Sequence, residues 1–113
     1  MKILRINNDV CELVEIGDEL EDLQAEVKGY IEIVSLGATL RIVANDDSRN
    51  RNFFNNGPAT VLFRHFYGET APYIVGPAFL CSFDGYENLV SLTDEDYEIA
   101  AKVLRSYGFV KGD

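Results

Sequence analysis

Histidine, tryptophan and cysteine are almost missing from this chain: its 113 residues include one His, no Trp and two Cys. With His65 as the only imidazole, a zinc site would need Cys11, Cys81, His65 and a carboxylate to converge from unrelated segments, and no metal site is expected. Cys11 and Cys81 stand 70 positions apart, each in an apolar stretch and without C-x-x-C spacing. They read as reduced, buried thiols. A G-x-S-x-G elbow is also lacking, so Ser48, Ser82, His65 and the carboxylates make a catalytic triad only on paper. The chain reads as a non-enzyme with no cofactor. His65 follows Arg64 beside Phe63 and Phe66, where a half-buried, structurally paired imidazole is expected.

No apolar run is long enough to cross a bilayer, which excludes a spanning helix. The first nine residues, MKILRINND, are broken by charge and lack the apolar core of a signal peptide, which points to the cytoplasm. Bases are scarce, 10 Lys and Arg against 19 Asp and Glu, for a net charge of −9. The excess is segregated: residues 1–30 carry −5, residues 31–65 carry +1 and residues 66–113 carry −5. An acidic surface repels phosphate, so direct nucleic-acid binding is not expected. The hydrophobic fraction of 47% and charged fraction of 26% fit a soluble globular protein, and the length fits one domain over 1–113.

Alternation over Lys2–Ile6 and Val10–Ile16, with Asn7-Asn8-Asp9 between, predicts an opening β-hairpin. Asp18 can cap a helix whose Glu21 reaches back, with Leu20, Leu23, Gln24 and Val27 at helical spacing and Gly29 as the left-handed residue after Lys28. Tyr30–Leu36 and Leu40–Ala44, joined by Gly37-Ala38-Thr39, predict a second hairpin at the sheet centre. A polar loop runs from Asn45 to Gly57. Pro58 then opens a helix with Ala59, Leu62, Phe63 and Phe66 on its apolar stripe. Tyr73–Phe83 reads as a buried strand interrupted at Gly76-Pro77. Thr93 caps a last helix with three acids in its first turn, a core stripe of Ile99, Ala100, Val103, Leu104 and Tyr107, and Gly108 as its stop. The expected fold is α+β, a mainly antiparallel sheet with about three helices in the order ββαββαβα.

Several segments together resemble the domain of unknown function 3846 family. They are Leu23-Gln24-x-x-Val27-x-Gly29-Tyr30-Ile31-Glu32, Asn45-Asp46, Asn56-x-x-Ala59-Thr60, Ile74-x-Gly76 and Leu92-Thr93-x-Glu95, spread over about residues 18–104. The resemblance implies a small cytoplasmic protein of phages, plasmids or integrative elements, without an assigned activity. Residues 50–55 depart from the pattern, being longer and richer in Arg, Asn and Phe than the family leads one to expect.

Two surfaces are candidate sites. Arg41, Arg49, Arg51 and Arg64 form the one basic cluster in sequence, and with Asn45, Asn56 and the helix N-terminus at Pro58 they could receive a nucleotide or other small anion. The alternative is a solvated loop, with Phe53-Phe54 as a core plug or a protein contact. The second surface is acidic: Glu19, Glu21, Asp22 and Glu26 on the first helix and Asp94, Glu95 and Glu98 on the last. These could occupy the basic groove of a host restriction, CRISPR or repair protein as a DNA mimic, an anti-defence role, or serve only as solubilising faces. Tyr67, Tyr73 and Tyr86 are candidates for a homodimer contact.

Overall fold

The computed structural model describes residues 1–7 and 10–110. Strands β1 (Lys2–Asn7) and β2 (Val10–Glu15) form the first hairpin, followed by helix α1 (Leu20–Val27) and the second hairpin, β3 (Ile31–Leu36) with β4 (Leu40–Asn45). A single 3-10 turn (Ser48–Asn50) leads to α2 (Gly57–Tyr67), and β5 (Ala78–Phe83), β6 (Leu89–Val90) and α3 (Asp94–Ser106) complete the α+β order. Asn8 and Asp9 of the expected first turn lie outside the described residues, but Asn7 and Val10 on either side are paired. The two-residue β6 is the one strand that the sequence does not announce.

All strand pairs are antiparallel, and the sheet runs β2-β1-β5-β4-β3 with β6 on β5. The second hairpin is therefore not the sheet centre. Its β3 is an edge, and the middle belongs to β5, whose AFLCSF leaves only Phe83 partly exposed. Alternation along the strands sorts side chains between two cores. Leu4, Ile6, Leu40, Ile42, Ala44 and Leu80 point to the face covered by α2 and α3. Ile3, Val43, Phe79 and Cys81 point to the other face, where α1 lays down Leu23 and Val27. The molecule is a three-layer sandwich.

Helix periodicity is right in place but wrong in some details. Leu20, Ile99 and Tyr107, expected in core stripes, are 56%, 47% and 62% exposed, while Ala101 is buried. Glu19, not Asp18, occupies the cap of α1, and its N–H donates to the Asp22 carboxylate at 3.1 Å. At the other end of α1 the left-handed residue is Lys28 (φ 62°), not Gly29. Gly29 serves a different need: a Cβ there would lie 2.7 Å from Asn45 Nδ2. We expect Gly29→Ala to destabilise the protein by about 1–3 kcal/mol, as the amide is pushed off the helix end. Lys28→Gly should stabilise it by up to about 1 kcal/mol by relieving the left-handed strain. Paired urea melts check both signs.

Cys11 is half-buried and Cys81 buried, on opposite sheet faces, and no disulfide joins them. Burial pushes the Cys81 thiol up to about 12. In a Cys11→Ala background, an aromatic disulfide reagent at neutral pH should therefore find no reactive thiol in the folded protein and one in denaturant.

Candidate functional site

Of the Arg and Asn side chains proposed from sequence as an anion site, Asn45 lines the two hollows that Arg49 and Arg51 border, one each, while Arg41, Asn56 and Arg64 stand elsewhere. Asn45 caps the C-terminus of α1: its Nδ2 donates to the Val27 and Lys28 carbonyls at 2.9 and 3.2 Å, and its Oδ1 accepts the Asp47 N–H. Asn56 is fully buried, with Nδ2 donating to the Ile6 and Gly76 carbonyls at 2.9 and 2.8 Å and Oδ1 capping α2 at Ala59 N. Arg41 lies on the α1 side of the sheet, 4.7 Å over the Phe83 ring, and donates to the Leu40 and Ala38 carbonyls. Arg64 lies on α2, stacked on Tyr73 at 4.4 Å with Nε donating to Ala71 O.

Arg51 stacks on Phe53 at 5.0 Å and reaches Lys28 O at 3.3 Å. Its hollow of about 430 Å³ is also lined by Asp46 and Asp47, which repel an anion. Arg49 borders a cavity of only about 120 Å³ shared with Glu32. The start of α2 offers no anion cup either, since Ala59 N–H is taken by Asn56 Oδ1, Thr60 N–H by Asn56 O, and Pro58 has none. Of the phenylalanine pair, Phe53 is the plug, against Gly76, whose Cβ would come within 2.6 Å of it, while Phe54 is 78% exposed.

The segments that carried the resemblance prove to be internal ties. Thr60 Oγ1 accepts the Ile74 N–H at 3.0 Å, Ile74 O accepts the Asn56 N–H at 2.8 Å, and Gly76 O receives the Asn56 amide. One knot thus holds the start of α2, the approach to β5 and the end of β1. A second tie escaped the sequence reading. Asp96, 3% exposed, accepts from Thr39 Oγ1 at 3.0 and 2.9 Å and from Ser82 Oγ at 2.6 Å, and Ser82 Oγ in turn accepts the Thr93 N–H. Its signal was a lone serine in an apolar strand and an acid three residues after a threonine cap. Every group in this tie is engaged, and His65 is elsewhere: it is exposed rather than half-buried, in a surface groove with Ile99, Lys102 and Tyr107. Among the described residues no group of His, Cys, Asp or Glu is arranged to hold a metal ion.

The acidic residues are brought together by the direction of the chain. Strand pairing sets Lys2 opposite Glu15, and Leu92 N–H donates to Lys2 O, so β2 ends and α3 begins at the same end of the sheet. From that end α1 and α3 run up opposite faces. Their first turns place Glu19, Glu21, Asp94 and Glu95 there, exposed, with Glu98 one turn on. The β5–β6 turn adds Glu87 and Tyr86, the latter 88% exposed. Asp84 braces this turn by accepting the N–H groups of Tyr86, Glu87 and Asn88 at 2.7–3.1 Å, and the Tyr86 N–H above all holds its carboxyl below the usual range.

Two of the proposed contact acids are spent internally. Asp22 caps its own helix, and Glu26, at the far end of α1, receives Arg5 through two bonds of 2.7 and 2.8 Å and keeps that guanidinium more firmly protonated. Lys28, Arg49 and Arg51 lie at the opposite end of the sheet. Asp46, Asp47 and Glu32 stand at that end as well, and Lys2 and Arg41 at the acidic one, so the fold runs from an acid-rich end to an end of mixed charge.

These features define a small α+β protein with saturated internal polar ties and a chemically distinctive acidic end. The family model described as "Domain of unknown function (DUF3846)" matches residues 1–107, and the chain belongs to that family. No curated protein and no solved structure gives a match. No helix among the described residues is long and apolar enough to cross a membrane.

Proposed function

We propose that this is a cytoplasmic binding protein of a phage or mobile element, without catalysis of its own, whose acid-rich end seats on a basic surface of a host nucleic-acid-handling protein. The observation that carries the reading is the common starting end of α1 and α3, which turns two acidic stretches distant in sequence into one surface. The carboxylates are helix first-turn residues, held by backbone rather than by loops, as a fixed array standing in for phosphates requires. Leu20 and Tyr86, exposed at the same end, give the contact an apolar and an aromatic anchor. With principal extents of 33 × 32 × 22 Å, both helix starts fall within one partner footprint of ordinary size.

Capture of tagged protein from host lysate at low and at high salt tests this. The reading expects a nucleic-acid-handling protein bound in near-equal amount at low salt and released at high salt. A bound nucleotide without any protein would overturn it and move the function to the Arg49 and Arg51 hollows.

A further inference from the structure

We infer that β2 is the pairing edge for a second copy of this chain, forming an antiparallel twofold dimer centred on Leu13. The two edges of the sheet are treated differently. On β3 the outward carbonyl of Ser35 is already occupied, accepting the Tyr67 hydroxyl at 2.6 Å, so a neighbouring strand is obstructed there. On β2, Met1 and Ile16 exchange backbone hydrogen bonds at 2.6 and 2.9 Å, which directs the even-numbered residues of β2 at β1 and turns the backbones of Leu13 and Glu15 outward. Among the described residues no hydrogen bond from outside the hairpin reaches these outward groups. The strand VCELVE has no Lys and no Pro, and its six-residue ladder to β1 is unbroken, so neither a proline nor a bulge blunts this edge and Glu12 and Glu15 are its only charges.

The edge suits its own copy. Centred on Leu13, antiparallel pairing sets Leu13 against Leu13, which is 46% exposed, and Glu12 against Val14, so that no acid faces an acid. Glu12 stands 3.2 Å from Arg5, which it shares with Glu26, and Glu15 stands 3.4 Å from the N-terminal ammonium, so each acid of β2 has a cation beside it. The twofold further sets the acidic end of each copy beside the opposite end of the other, which keeps the two acidic ends apart. A strand pair of this length buries little area, so the dimer is a weak one.

Sedimentation equilibrium over a concentration series, with amide exchange by NMR, tests the inference. The expected result is a dimer that dissociates on dilution, with the Leu13 and Glu15 amides slow to exchange in the dimer and fast in the monomer, while Ile33 stays fast. Leu13→Lys, which sets two ammonium groups face to face, should weaken dimerisation at least about 100-fold. A chain monomeric at all concentrations overturns the inference. So does a dimer whose Leu13 and Glu15 amides exchange freely, and that readout needs no variant to fold.

Discussion

Replacing Asn56 with alanine should cost about 3–5 kcal/mol, because it strands the buried Gly76 carbonyl and one helix N–H, each worth about 1–3 kcal/mol when left unpaired, and takes from the Ile6 carbonyl its second donor beside the ladder to Ala78. For a domain of this size the melting temperature should fall by about 12–20 °C. Against a total stability of roughly 5–15 kcal/mol, that is enough to leave the protein marginal. The informative comparison is Asn56→Asp. Aspartate caps a helix as well as asparagine does, so Oδ1 still serves Ala59 N–H, but it has no N–H to offer the Ile6 and Gly76 carbonyls. If the knot between α2, β1 and the approach to β5 is the reason for this residue, Asn56→Asp should be at least as harmful as alanine. A near-wild-type aspartate variant would mean that capping alone matters and that the knot is incidental. Thermal and urea melts of the three proteins decide it.

Neutralising the helix starts should have the largest effect on binding. With the partner recovered from lysate, Glu19→Gln with Glu21→Gln, or Asp94→Asn with Glu95→Gln, should each weaken binding about tenfold, and the four together about a hundredfold or more. Amides are preferred to lysines because lysine in a first helical turn opposes the helix dipole, at about 0.3–1 kcal/mol each, and would confuse folding with binding. Near-additive losses are expected because the two pairs sit on different helices but face one partner. If only one pair matters, the shared acidic end is not the contact.

Much of this was legible because it is local. Thr93 caps α3 as its position before three acids announces, and the hairpins follow from alternation and turn residues. What was misread depends on tertiary pairing. The run IEIVSL looks like a sheet centre, yet β3 is an edge with Ile33 48% exposed, since strand order is a non-local property that hydrophobicity alone does not encode. Gly29 looked like the helix-terminating residue, but Asn45 needs its missing side chain and the left-handed turn moved to Lys28.

For the site, Asn45 and Asn56, which looked like ligand donors, spend both ends of their amides on the backbone. A polar loop gives no hint of which amides will turn inward. The arginines, adjacent in composition, separate because Arg41 lies on one sheet face while Arg64 rides a helix on the other. Of the acidic residues, Glu19, Glu21, Asp94, Glu95 and Glu98 stand exposed on the two helices as expected, whereas Asp22 and Glu26 are engaged internally. That both helices begin at one end could not be read, since it depends on how each connection leaves the sheet.

The decisive measurement is the affinity of the captured partner for three forms of the protein: wild type, the four-site acidic-end variant, and Arg49→Ala with Arg51→Ala. The account predicts a loss of about a hundredfold or more for the acidic-end variant and less than about threefold for the arginine variant, with both still folded. The reverse order, binding kept without the carboxylates and lost without the arginines, would contradict it.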